Sequence, residues 1–190
     1  MLRQQIDNLR ERLGKAQLLS ESVLRHRKVR NLGEVRTVGI LYDATDREIF
    51  EYVNDVVRRF RADMKKVHTL GYINSKDDRD MLSSKLGFDF FNRKNLDFYF
   101  RPRCPVADNF MAESFDLLID LNIENLWPLE YVMRRSHASL KVGLSPRHHN
   151  PYDLSFRVSF PENTPPYSRE QKMELMRTLI LNIRKYLHQI

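Results

Sequence analysis

The run V-R-T-V-G-I-L-Y at residues 35–42 is followed by D-A-T-D at 43–46, R-E-I-F-E-Y-V-N-D-V-V-R-R-F at 47–60 and K-V-H-T-L-G-Y-I at 66–73, and this succession decides the fold. The first run is short and apolar, as a strand buried on both faces requires. Residues 43–46 read as its exit turn, with Thr45 and Glu48 at the spacing of a capping box. Ile49, Phe50, Val53, Val56, Val57 and Phe60 then recur at helical spacing, which predicts a helix to about Met64. A second strand follows over Lys66–Ile73. Strand, helix and strand joined by short connections form a βαβ unit, which implies a parallel pair and a right-handed crossover.

Downstream, residues 74–80 read as a polar loop and 81–86 as one or two helical turns ended by Gly87. The phenylalanine-rich runs at 88–91 and 96–100 read as one or two short strands. Pro102 and Pro105 then interrupt regular pairing. F-D-L-L-I-D-L at 115–121 is the strongest buried-strand signal in the chain. A helix is expected from about Trp127 to Ala138 with Pro128 in its first turn, then strands at 140–143 and 154–160, the latter alternating as an edge strand does. A proline-rich linker at 161–167 leads to a final helix opened by a Ser168/Gln171 capping box. The expected fold class is α/β: a three-layer Rossmann-like sandwich with a mostly parallel sheet of about five or six strands, plus an N-terminal basic helical extension. Residues 1–34 form the extension and 35–190 a single α/β domain.

The charge is unevenly placed. The chain of 190 residues carries a net +7, and residues 1–36 hold nine Lys and Arg against four acids, so +5 of the charge sits there. Leu2, Ile6, Leu9, Leu13 and Ala16 alternate at spacings of four and three, one face of an amphipathic helix open to self-association. The cluster Arg25, Arg27, Lys28 and Arg30 is expected at the end of that helix. It has two readings: a solvated helix terminus favoured by the macrodipole, or a site for an anionic partner such as RNA or a ribonucleoprotein. With no aromatic residue among the first 36, base stacking is not expected there. No run approaches the length of a transmembrane helix. The single Cys104 excludes an internal disulfide. Interrupted apolar runs near the N-terminus argue against a secretory signal, and the expected compartment is the cytoplasm.

The combination of 115–121 with P-L-E-Y at 128–131, S-H-A-S-L-K-V-G at 136–143, V-G-I-L-Y-D-A-T at 38–45 and Y-D-L at 152–154 resembles a small uncharacterised bacterial protein family of unknown function, over most of residues 35–190. The D-L-L-I-D-L strand followed by a helix and K-V-G is also similar, more weakly, to the N-terminal half of heptosyltransferase-like glycosyltransferases. That likeness implies a half-enzyme without the domain that holds the sugar nucleotide.

Ligands of doubly wound sheets bind beyond the carboxyl ends of the strands. That rule selects Asp43 and Thr45, Asp120 and Asn122, and the loop carrying Arg147, His148 and His149 as ligand-binding candidates. No G-x-G-x-x-G and no phosphate loop occurs, so no nucleotide cofactor is expected. The adjacent His148 and His149 diverge in most backbones and make a poor metal pair. Asp116 and Asp120 share a strand face by parity, a conceivable acid/base pair. An exposed Cys104 beside Arg103 would have a depressed thiol pKa. The aromatic residues of 88–100, interleaved with Arg93 and Lys94, suit either core packing or stacking on a single strand of nucleic acid. Two functions follow as expectations. The first is a non-catalytic binding module that docks through its basic N-terminal segment. The alternative is a degenerate or partner-dependent glycosyltransferase-like or phosphate-ligand-binding enzyme.

Overall fold

The computed structural model describes residues 2–19, 23–76, 86–124, 126–145, 150–158 and 166–190. Helix α1 (Leu2–Leu19) comes first, then β1 (Thr37–Asp43), α2 (Arg47–Ala62), β2 (Lys66–Ile73) and β3 (Phe88–Asn92). After these come α3 (Pro105–Ala112), β4 (Leu117–Asp120), α4 (Trp127–Arg135), β5 (Leu140–Leu144), β6 (Leu154–Phe156) and α5 (Arg169–Gln189).

The six strands form one sheet in the order β3-β2-β1-β4-β5-β6, and every pairing is parallel. Val38 to Leu41 of β1 face Leu117 to Asp120 of β4 in register. The chain order reverses direction between β1 and β4, so right-handed crossovers place the helices before and after that point on opposite faces. Side-chain parity follows. Ile40, Tyr42, Leu117 and Ile119 pack with Phe60 of α2 and Leu179 and Ile183 of α5. Leu41 and Leu118 pack with Phe110 of α3 and Leu129, Val132 and Met133 of α4. The three-layer Rossmann-like sandwich expected from the sequence is therefore present, and its central strands are buried on both faces.

Several local expectations change. The cap of α2 is Asp46, whose carboxylate accepts from the Glu48 amide at 2.8 Å; Thr45 lies one residue too early and turns elsewhere. α3 was not foreseen, because Pro102 and Pro105 read as breakers. Pro105 occupies the first turn of that helix, where its missing N–H costs nothing. Residues 96–100 form no strand: a lone antiparallel bridge between Leu96 and Pro102 closes a loop, with Phe100 at φ +58°. α4 stops at Arg135, three residues short of Ala138. The Ser168/Gln171 box closes on α5 as expected. The expectations for residues 81–85 and 161–165 fall outside the described residues.

The largest change concerns the N-terminal segment. α1 ends at Leu19, and residues 23–30 are not helical, so the basic cluster does not cap a helix. Among the described residues no helix is long and apolar enough to cross a membrane.

Candidate functional site

At the carboxyl edge the strand-end candidates make local turns. Asp43 accepts from the Thr45 amide at 3.0 Å, and the Thr45 hydroxyl accepts from the Asn74 amide at 3.0 Å, tying β1 to β2. Asp46 fills the N-terminus of α2 with its own carboxylate. Arg169 of α5 holds Asp46 at 2.6 Å and Glu48 at 2.7 Å. Burial opposes ionisation of Asp46, but Arg169 and the Glu48 amide outweigh it and lower its pKa. This is the place where a dinucleotide fold seats a pyrophosphate, and here a protein anion already occupies it.

Asp120 and Asn122 shape the next turn. Asp120 is 4% exposed, accepting from the Asn122 amide and the Tyr152 hydroxyl, each at 2.9 Å. Burial pushes its pKa up to about 7, against the pull of those two donors. The Asn122 amide group brackets Leu126, accepting from its N–H at 3.1 Å and donating to its carbonyl at 3.3 Å, which launches α4. Gly143 is required beside this pair, because a Cβ there would overlap the Tyr152 ring.

Asp116 and Asp120 do not meet. Four residues of strand separate them by about 13 Å. Asp116 sits at the amino edge, accepting from the amides of Arg36 at 2.9 Å and Thr37 at 3.2 Å. Cys104 is half-buried ahead of α3, and burial pushes its thiol pKa up, the reverse of an activated nucleophile. Phe88 and Phe91 are core residues, whereas Phe98 is exposed. Arg147, His148 and His149 lie outside the described residues.

The basic cluster lies along the amino edge of the sheet. Residues 23–36 run across it as a strap. The Arg25 guanidinium reaches both carboxylate oxygens of Asp153 at 2.6 and 2.8 Å and the Ala138 carbonyl at 3.0 Å. Its side chain is only 8% exposed. Bidentate pairing of this kind suits a planar guanidinium. Burial opposes the Asp153 charge, yet Arg25 and the Lys141 amide hold its pKa below the usual carboxylate range. Arg30 approaches Asp116 at 3.3 Å, the Lys28 amide donates to Ser139, and the Leu32 amide donates to Leu187 at 2.7 Å. Leu32 and Val35 are buried in the core.

Arg25 and Arg30 are thus held against the body, while Arg27, loosely paired, and Lys28 keep outward-facing charge. Arg27 is 76% exposed, with its guanidinium 3.6 Å from the already paired Asp153, and Lys28 is exposed. Both line a groove of about 460 Å³ between the strap and residues 150–153. Its other wall includes Ser139 and Asn150. Sequence reading missed Asp153 and Asp116 as partners of the strap, because contacts more than 80 positions apart leave no local signal. Arg25 and Arg30 differ from Arg27 and Lys28 only in where the strap points them.

No curated protein and no solved structure matches the chain, so the likeness to glycosyltransferases gains no support. A family model does match, and over more than the α/β body alone. It begins within α1 and takes in the whole strap. With residues 10–173 matched, the chain belongs to the family of unknown function DUF6913.

Proposed function

We propose that the protein is a non-catalytic cytoplasmic α/β binding module that docks on a phosphate-bearing partner, RNA within a ribonucleoprotein, through the amino-edge strap. The observation that carries this reading is the division of labour in the cluster. Arg25 and Arg30 fasten the strap to Asp153 and Asp116, while Arg27 and Lys28 face an open groove. A backbone held in place loses little freedom on binding, so cations presented from it bind better than the same cations on a free tail. Arg36, also exposed, extends the positive edge toward β1. The enzymatic alternative draws less from the geometry, since Asp43, Thr45, Asp120 and Asn122 bond to neighbouring groups.

The test is binding of the full chain to a single-stranded RNA at low salt. Arg27→Ala with Lys28→Ala is expected to weaken binding at least tenfold while leaving the melting temperature within error. An unchanged affinity, or no binding by the unaltered chain, counts against the reading. Removal of residues 1–34 is a poor test, because it takes Leu32 out of the core.

A second reading, self-association, rests on a separate observation. Ile6, Leu9 and Leu13 point away from the body at 48%, 55% and 51% exposure. Sedimentation should show a concentration-dependent dimer in the unaltered chain and a monomer in Leu9→Lys with Leu13→Lys. A monomer at every concentration sinks it.

A further inference from the structure

Helix α1 is amphipathic the wrong way round. A helix packed on a domain ordinarily buries its apolar stripe, yet here Ile6, Leu9 and Leu13 face out. Asp7, Arg10, Glu11 and Lys15 lie on the half-buried side, with Gly14 and Leu18 buried. The docking is specific. Arg10 sits over the rings of Phe98 and Phe100, 4.4 and 4.5 Å from their centroids, and donates to the Phe98 carbonyl at 2.6 Å. A Cβ at Gly14 would meet the Tyr99 carbonyl at 3.0 Å. Burying charged groups costs free energy unless they have something polar to face.

Asp7 and Glu11 face a cavity. It opens at the carboxyl ends of β2 and β3 beside the start of α4, and measures about 200 Å³. Tyr72, Asn74, Arg93 and Trp127 form one side, and Asp7 and Glu11 of α1 the other. Asp7 pairs with Arg10 through one oxygen and Glu11 with Lys15 through one, so among the described residues each carboxylate keeps an oxygen free of ion pairing. The Arg93 guanidinium forms no ion pair among the described residues. Opposite charges therefore line one cavity with no ion pair between them among the described residues.

We infer that this cavity binds a small zwitterion of the free α-amino-acid class. Its carboxylate lies on Arg93, its ammonium on Asp7 and Glu11, and its side chain against Trp127 and Phe100. The volume falls below the roughly 300–1,000 Å³ of sites for drug-sized ligands, which excludes a nucleotide and fits a single amino acid. Paired charges at both ends also account for the inward turn of the polar face of α1. This site is at the opposite edge of the sheet from the strap, and neither claim depends on the other.

The experiment is a thermal-shift screen of the full chain with free amino acids, each beside its N-acetyl and methyl-ester forms, followed by calorimetric titration. At least one free amino acid is expected to raise the melting temperature, as any ligand selective for the folded state does. The acetylated form lacks the ammonium and the ester lacks the carboxylate, so neither should act. Arg93→Gln, at an exposed position whose guanidinium has no ion pair among the described residues, should leave the ligand-free melting temperature unchanged and weaken binding about tenfold or more. Glu11→Gln should weaken it as well. No response to any free amino acid, an equal response to the blocked forms, or a response that survives Arg93→Gln overturns the inference.

Discussion

Asp120 shows how much one buried carboxyl alters the pH behaviour of a fold. Its pKa stands at about 7 in the folded chain, against about 3.9 for an unfolded aspartate. The folded state therefore binds the extra proton between those values, and its stability falls as pH rises through that window. This is opposite in sign to a salt-bridged aspartate. Asp120→Asn keeps the oxygen that accepts from the Asn122 amide, places an NH2 donor against the Tyr152 hydroxyl oxygen in place of the second acceptor, and cannot ionise. Denaturant titrations should find the stability of the variant relative to the unaltered chain rising by up to about 4 kcal/mol between pH 4 and pH 7. A pH-independent difference between the two would refute the assignment. The raised pKa would also mark Asp120 as a functional candidate in a cleft. It is shut inside the core instead, so it serves the turn that launches α4.

At the scale of elements, local patterns were legible and long-range pairings were not. Lys66–Ile73 was bounded correctly, and the Ser168/Gln171 box was readable, since both depend on neighbours within a few residues. α3 was missed because Pro105 is ambiguous between a breaker and a first-turn residue until the following apolar residues find a core. α1 misled in another way. Its stripe, described at Ile6, Leu9 and Leu13, was correctly periodic, but the half-buried face is the largely polar one, which depends on a cavity made by β2, β3 and α4. The strap was misread as helix because Arg, His and Lys are compatible with one, and Asp153 is more than 120 residues away. That pairing can be measured. Arg25→Ala should cost about 2–3 kcal/mol, because it leaves Asp153 with only the Lys141 amide and the looser, exposed Arg27 guanidinium. Arg25→Ala combined with Asp153→Asn should cost less than the sum of the two single changes. Strict additivity would show that the strap is not held by this pair.

For the whole molecule, the sheet order fixes two working edges. The carboxyl edge carries the α1-covered cavity, and the amino edge carries the strap. The excess positive charge of the N-terminal segment was visible in the composition, but its meaning depended on the fold. On the strap, Arg25 and Arg30 neutralise Asp153 and Asp116, and the strap's other cations, Arg27, Lys28 and Arg36, are the charge that can meet a partner. The salt dependence of RNA binding measures that charge most directly. Neutralising a single-stranded phosphate contributes about −0.7 to the slope of log affinity against log salt. Three open cations therefore predict a slope of about −2, reduced to about −0.7 by Arg27→Ala with Lys28→Ala. A slope that the double substitution leaves unchanged would contradict the account.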